Sequence, residues 1–442
     1  MNAWVANKLY LGLQALRGEP VATALADVYR TEFMPLEQLR AVQAERMAEQ
    51  LRFAVRNVPH YQEAYAPYVG RIETLSGWED VQALMDVLPA VEKEDVLKRP
   101  QRLTARNAGQ LRTHPDKTSG STGTPIVFPC DQRAWAYRHA LTIRTMKMHG
   151  VENGEPYALL FGLHWNKQVQ AQVMLRDWIF NRVRVSAFDL GKDTFEGYYR
   201  QVRAHQPTYF MGYPSSTYDF CFLARERGID LRELRLKALF LTSEPLFEHQ
   251  RQLIEEVTGT RCVNIYGSAE GGLSAFECPA GNLHVTVEAT WLRKRGAGEE
   301  LLATDMQLRA FPMINYGIGD EGQLKEGRCD CGRSHPLLAS LSGRSGEPIL
   351  LPNGRRVNAH LPMYIFKPFA SLKVIQKFRF VLQGGDLKLY LVVSDGFGEE
   401  HLRMVEREVR VAFGEDTSFS THVVSNLDPL PNAKHRAFVV VD

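Results

Sequence analysis

The chain has 442 residues, 44% of them hydrophobic, which exceeds what one hydrophobic core usually supports and implies two or more domains. Lys plus Arg number 53 against 51 Asp plus Glu, and a net charge of +2 excludes a general binder of nucleic acid or of acidic polymers. Six cysteines at uneven spacing exclude a disulfide scaffold, and no stretch is long and apolar enough to span a membrane.

The opening MNAWVANKLYLGLQALRG is interrupted by Asn7, Lys8 and Gln14, so it is no signal core; it reads as a helix packed on the body of a cytoplasmic protein, with weak membrane contact through this amphipathic start as the alternative. Leu39, Val42, Met47, Leu51, Ala54 and Val55 recur at helical spacing up to the break at Asn57, Val58 and Pro59. At 117–128 comes KTSGSTGTPIVF, in which Ser119, Gly120, Ser121, Thr122, Gly123 and Thr124 are consecutive. Such a loop is either a surface turn or an anion cradle, since its glycines allow close approach and its hydroxyls and N–H groups can converge on phosphate. It is no Walker loop, because Thr124 and Pro125 follow Gly123.

Between about 140 and 266, strand-like PYALLF, PTYFMGY and LKALFLTS alternate with helical STYDFCFLARERG and PLFEHQRQLIEEVTG. That alternation predicts a wound, mainly parallel α/β sheet, with a ligand at the carboxyl ends of its strands. Cys130, Cys221 and Cys262 sit singly in apolar surroundings and read as buried structural residues. After Gly343 the pattern changes: KFRFVL and LKLYLVVS are strands, a helix carries Leu402, Val405, Val409 and Phe413 on one face, and FSTHVVS and RAFVVV are strands again. Together they make a small α+β domain.

Two predicted strands end in chemistry-bearing loops. LKALFLTS leads into Ser243, Glu244 and Pro245, and CVNIYGS carries Tyr266, Gly267 and Ser268 into Ala269 and Glu270. Glu270 is either a solvated loop carboxylate or a hard oxygen ligand for magnesium beside phosphates. Asp320, ending INYGIGD, is either a turn residue or an acceptor for both hydroxyls of a ribose.

Taken in order, TSGSTGTP, TSEP, YGSAEGG, YGIGD, SGR and a lysine near the C terminus resemble the adenylate-forming (AMP-binding) superfamily of acyl and aryl ligases. The phrases NVPHYQEAY at 57–65, GYPSS at 212–216 and EELLATDMQLRAFPMINYGIGD at 299–320 resemble its phenylacetate-CoA ligase and capsule-associated branch, and the resemblance spans nearly the whole chain. It implies a large N-terminal wound α/β domain over 1–344 and a small mobile α+β domain over 345–442. It implies activation of a small-molecule carboxylic acid with ATP and Mg²⁺ to an acyl-adenylate, with release of pyrophosphate, and acyl transfer to coenzyme A. The loop at 119–124 would then grip the phosphates. Ser243, Glu244 and Pro245 would neighbour the adenine, with Tyr266 stacking near it in the Gly267, Ser268, Ala269 segment. Glu270 would hold magnesium, Asp320 would clamp the ribose, and Arg344 would add a contact to the ribose or phosphate side.

Lys434 falls where the superfamily has its catalytic lysine, an ammonium bridging carboxylate and α-phosphate. Outside that context it would read as an exposed loop lysine. Here Ala433 stands where glycine commonly precedes it, and Gly346 stands where an acidic hinge residue is usual. Transfer to an amine, a hydroxyl or a carrier-protein thiol stays open beside coenzyme A, as does a homodimer. A non-catalytic nucleotide-binding protein is the alternative of another class. The apolar segments FGLHW at 161–165 and YFMGYPSS at 209–216 read equally as the lining of a pocket for an aryl or other hydrophobic acid and as sheet core.

Cys278 and His284 lie six apart, and Cys329 and Cys331 lie two apart, both pairs flanking the loops above. Three thiolates and an imidazole are a donor set for closed, tetrahedral, structural zinc. Unconnected loop cysteines or a redox pair are the alternatives, and His335 is a spare imidazole for the place of His284.

Overall fold

Alternate residues of the apolar runs serve two different layers. The computed structural model describes residues 2–117, 126–161, 170–187, 190–191, 193–344, 349–357, 365–366, 374–427 and 437–441. Phe210 and Leu239 pack with Phe195, Phe220 and Ile254, under helices Phe195–His205, Pro214–Glu226 and Glu248–Thr258. Their neighbours Tyr209, Ala238 and Phe240 face the other way, onto Val28 of helix Val21–Thr31 and Ala136, Ala140 and Leu141 of helix Gln132–Met148. This period of two is what burial on both faces of a sheet demands. Each large side chain so buried contributes roughly 1.5–3 kcal/mol.

Local chemistry sets the ends of these helices. Asp131 caps Gln132–Met148 by accepting from the Ala134 N–H at 3.2 Å. Pro214 opens Pro214–Glu226, and Gly259, at φ +66°, closes Glu248–Thr258 in the left-handed region.

The main sheet has eleven strands among the described residues. In spatial order they are Thr290–Lys294, Glu300–Asp305, Tyr316–Lys325, Leu337–Arg344, Leu283–Val285, Gly272–Glu277, Cys262–Ser268, Ala238–Thr242, Tyr209–Gly212, Tyr157–Phe161 and Arg182–Ser186. The last five pair in parallel, as expected for the wound region. The other six continue the same sheet antiparallel, an extension that the alternation of strands and helices does not signal. Helices Leu36–Asn57 and Gly77–Val87 share a core with this half through Met47, Leu51, Leu84, Leu301 and Phe311.

A separate four-stranded sheet, Ser420–Val423, Asp386–Val393, Ile375–Gln383 and Phe438–Val441, has its own core of Phe380, Leu389, Val405, Val409 and Phe413. Helix Glu399–Phe413 turns its predicted apolar face inward. The Lys377 ammonium meets the Asp219 carboxylate of helix Pro214–Glu226 at 2.7 Å. Among the described residues no helix is long and apolar enough to cross a membrane.

Candidate nucleotide site and metal centre

The parallel register brings three strand ends level. Leu160 pairs with Gly212, Gly212 with Leu241, and Thr242 with Ile265, so Tyr213, Ser243 and Tyr266 line one edge. Gly212 is required there, because a Cβ would stand 2.5 Å from the Leu160 carbonyl oxygen. Ser243 leaves its strand at φ +71°, a left-handed conformation that a serine adopts at some cost. The next residue, Glu244, accepts the Ser215 N–H through Oε2 at 3.1 Å and so ties this turn to the start of helix Pro214–Glu226. Ser243 and Pro245 are exposed at the edge.

Tyr266 and Asp320 meet, although three strands separate theirs in the hydrogen-bonded order. The Tyr266 hydroxyl donates to Asp320 Oδ2 at 2.7 Å, which requires the antiparallel half to curl back over the parallel edge. Asp320 also stands opposite Arg344 in the sheet register. Glu270 is 6% exposed, which decides against a solvated loop carboxylate. The glycine after Gly271 has φ +70° and a virtual Cβ only 2.9 Å from Asp305 Oδ2, so the turn carrying Glu270 needs Gly272. Ser268 Oγ accepts the Gly271 N–H at 2.8 Å within the same turn.

Sequence reasoning missed Arg138. From helix Gln132–Met148 it donates to Asp116 Oδ2 at 2.7 Å and to the Ala269 carbonyl at 2.7 Å, and lies 3.5 Å from Asp305 Oδ2. Asp116 belongs to strand Thr113–Lys117, directly before the Ser/Thr/Gly loop. One guanidinium thus links the stem of that loop to the turn of Glu270. Burial works against its charge, but Asp305 and Asp116 outweigh that and keep it protonated. No local signal marks Arg138, because its partners lie 22, 131 and 167 residues away.

The loop at 119–124, Gly346 and Lys434 lie outside the described residues, as does the side chain of Arg344. The same holds for 162–165 of the apolar FGLHW segment. Phe161 does make a T-shaped contact with Tyr213 at 4.6 Å, at the edge of the sheet. Tyr209 and Phe210, by contrast, are core.

The four predicted metal ligands come together. The ligating atoms of Cys278, His284, Cys329 and Cys331 all lie within 4.8 Å of one another. Cys278 Sγ is 3.7 Å from Cys329 Sγ, and Cys331 Sγ is 3.3 Å from His284 Nε2. Zn–S bonds of about 2.3 Å in a tetrahedron put two sulfurs roughly 3.8 Å apart, so the spacing fits zinc. His284 Nδ1 lies 2.9 Å from the His335 carbonyl, which can only accept, so Nδ1 carries the proton and Nε2 faces the thiols. Burial lowers the His284 imidazole to about 4, which leaves it neutral and able to ligate.

His335 is not a substitute ligand. Its ring is fully buried and its Nε2 lies 2.9 Å from Glu288 Oε1, which also accepts from Thr31 Oγ1 at 2.9 Å and from the fully buried Arg144. Arg46 and Gln307 hold the Glu288 backbone carbonyl at 2.6 and 2.8 Å. Arg333 pairs with Glu32 and lies over the Phe33 ring. The Cys/His knuckle is therefore anchored to the N-terminal helices through a buried charge cluster. Cys130, Cys221 and Cys262 are buried and unbridged, as their surroundings suggested.

No protein-family model matches the chain. It is 24% identical over 399 residues to the phenylacetate-coenzyme A ligase of Thermus thermophilus, covering 84% of each chain. Against the phenylacetate-coenzyme A ligase of Pseudomonas putida it is 24% identical over 345 residues, 72% of this chain and 74% of the relative. Its fold matches 2-hydroxyisobutyryl-CoA ligase in the postadenylation state with R3-HIB-AMP at a TM-score of 0.71 and 16% identity, covering 93% of this chain and 91% of the other. The same ligase with 2-HIB-AMP and CoA in the thioesterification state gives 0.61 at 17% identity, over 93% and 91%. The chain is thus similar in sequence to curated phenylacetate-coenzyme A ligases and shares the fold of 2-hydroxyisobutyryl-CoA ligase.

Proposed function

We propose that the protein joins a carboxylic acid to the α-phosphorus of ATP, releasing pyrophosphate, and then transfers the acyl group from AMP to the thiol of coenzyme A. The observation that carries this reading is the Tyr266–Asp320 hydrogen bond of 2.7 Å. It fixes, before any ligand arrives, the carboxylate suited to a ribose and the ring suited to an adenine at one strand edge. Asp320 accepts the ribose hydroxyls, and the exposed turn at Ser243 and Pro245 borders the base. Glu270 holds Mg²⁺, which when bound offsets charge on the phosphates. The loop at 119–124 surrounds the phosphates, and Arg138 keeps its stem in register with Glu270. Lys434 stabilises the negative charge that grows as the carboxylate attacks.

Residues 1–344 form the nucleotide and acid domain, and 345–442 the small domain that brings Lys434. The separate cores of the two sheets support that division. Zinc on Cys278, His284, Cys329 and Cys331 is structural, since four protein ligands leave no open position. The Phe161–Tyr213 pair at the strand edge suits an aryl or other hydrophobic acid. ATP and coenzyme A are the cosubstrates, and a cytoplasmic setting supplies both. Carboxylate-dependent exchange of pyrophosphate into ATP, run across an acid panel and followed by a thioester assay with coenzyme A, tests the proposal. Exchange with no acid would overturn it, and exchange without thioester would assign a different acceptor.

A further inference from the structure

Helix Ala3–Leu16 buries Ala6, Tyr10 and Gln14 against the body and leaves a second apolar face outside. On the inner side, Asn7 Oδ1 accepts from Asn153 at 2.7 Å, Tyr10 bonds His139, and Gln14 is buried. Outside stand Trp4 and Leu16, 68% and 85% exposed, together with Leu9. A helix whose role ended with packing on the body would be polar on that outer face. Helix Gln170–Ile179 adjoins it, with Phe180 meeting the Tyr10 ring at 5.7 Å, and exposes Met174, Leu175 and Trp178. Among the described residues, Trp4 and Trp178 are the exposed tryptophans.

The exposed charge on these two helices is cationic, and Glu152 is the exposed acidic residue of the loop that adjoins them through Asn153. Residues 1–18 contain Lys8 and Arg17 and no acidic residue, and the first, Glu19, is buried. Lys8 Nζ lies 5.7 Å from the Trp4 ring centroid. On the second helix, Asp177 is saturated by Arg182 at 2.7 Å and Arg184 at 2.6 Å, leaving Arg176 exposed beside them. Burial, Arg182, Arg184 and Arg17 all depress the Arg176 pKa, which places Arg17 within electrostatic reach of the second helix.

We infer that these two helices form a docking surface for an anionic lipid bilayer, with Trp4, Leu9, Leu16, Met174, Leu175 and Trp178 entering the headgroup region and Lys8, Arg17 and Arg176 meeting lipid phosphates. Tryptophans beside cations on an apolar helix face are what an interfacial helix presents to a membrane. A second copy of the chain fits worse, because a two-fold contact through this patch would oppose one cationic rim to the same rim.

The test is co-sedimentation of the full chain with phosphatidylcholine vesicles and with vesicles of phosphatidylcholine and phosphatidylglycerol. Binding is expected to the anionic vesicles, to fall with added salt, and to be weak on the neutral ones. Leu9→Ser with Trp178→Ser should lower partitioning by roughly tenfold or more. Lys8→Glu with Arg176→Glu should lower it at least about fivefold for each cation removed. Pyrophosphate exchange and circular dichroism of these exposed-site variants should match the parent. Brominated acyl chains should quench parent fluorescence more than that of Trp4→Phe with Trp178→Phe. No binding to anionic vesicles, equal binding to both kinds, or full binding by either double variant would overturn the inference. Parent sedimentation as a dimer that the variants dissociate would assign the surface to a second copy instead.

Discussion

Replacing Glu288 with glutamine keeps its volume and removes its charge, leaving Arg144, 0% exposed, without its counter-ion. Breaking a buried ion pair by removing one partner costs about 3–5 kcal/mol, and because the amide oxygen still accepts, Glu288→Gln should cost about 3 kcal/mol. Each kcal/mol moves a melting midpoint by about 2–4 °C in a unit of 150–250 residues and by less in a larger one, so the midpoint should drop by up to about 10 °C. Urea unfolding followed by circular dichroism measures the loss. Arg144→Met with Glu288→Leu removes both charges and should recover most of it. Burial alone would raise the Glu288 carboxyl, but Arg144 and His335 outweigh it and hold it well below the usual range. Its contribution is therefore complete above the ordinary carboxylate pKa and is lost as pH falls through the depressed folded value, a loss absent in Glu288→Gln. Because Glu288 holds His335 and the His335 carbonyl holds His284, zinc affinity measured by chelator competition should fall roughly 10–100-fold. An unchanged urea midpoint, or a double variant as unstable as the single one, would refute the ion-pair account. Lost stability with unchanged zinc affinity would refute the link to the knuckle.

Metal analysis should find about one zinc per chain with sulfur-rich ligation by X-ray absorption, and oxygen-only ligation would refute the assignment of the Cys278 cluster. Asp320→Ala should weaken ATP binding in calorimetry along with turnover, and Tyr266→Phe should do so by a smaller factor, roughly tenfold, through loss of one hydrogen bond to a charged group. Unchanged ATP affinity in Asp320→Ala would remove the ribose assignment. Lys434→Ala should lower pyrophosphate exchange by on the order of a hundredfold or more while sparing transfer from a presynthesised acyl-adenylate. Equal losses in both half-reactions would make Lys434 structural. Arg138→Gln should raise the KM for ATP with little effect on the Kd for zinc, and an unaltered KM would deny Arg138 its part in ordering the phosphate loop.

Local pattern was enough for the elements of the parallel half and of the small sheet, and for the ligand types. Continuous apolar runs such as 238–242 and helical spacing such as Val405, Val409 and Phe413 are properties of neighbouring residues, and a strand or helix reads them directly. The Cys-x-Cys pair and the loops ending predicted strands are legible for the same reason. What tertiary structure alone decided is which of these meet. Cys278 and Cys329 are 51 residues apart, and Tyr266 and Asp320 are 54 apart across three intervening strands. Their contacts depend on a sheet that changes from parallel to antiparallel and curls, and no short segment encodes that curl. Arg138 and Glu288 carry no motif at all, because a buried charge is specified by its distant partners: Asp116, Ala269 and Asp305 for the one, Arg144, Thr31 and His335 for the other. The apolar outer face of helix Ala3–Leu16 belongs here too, since composition shows the helix to be apolar but only packing against Asn153 and His139 determines which face is left outside.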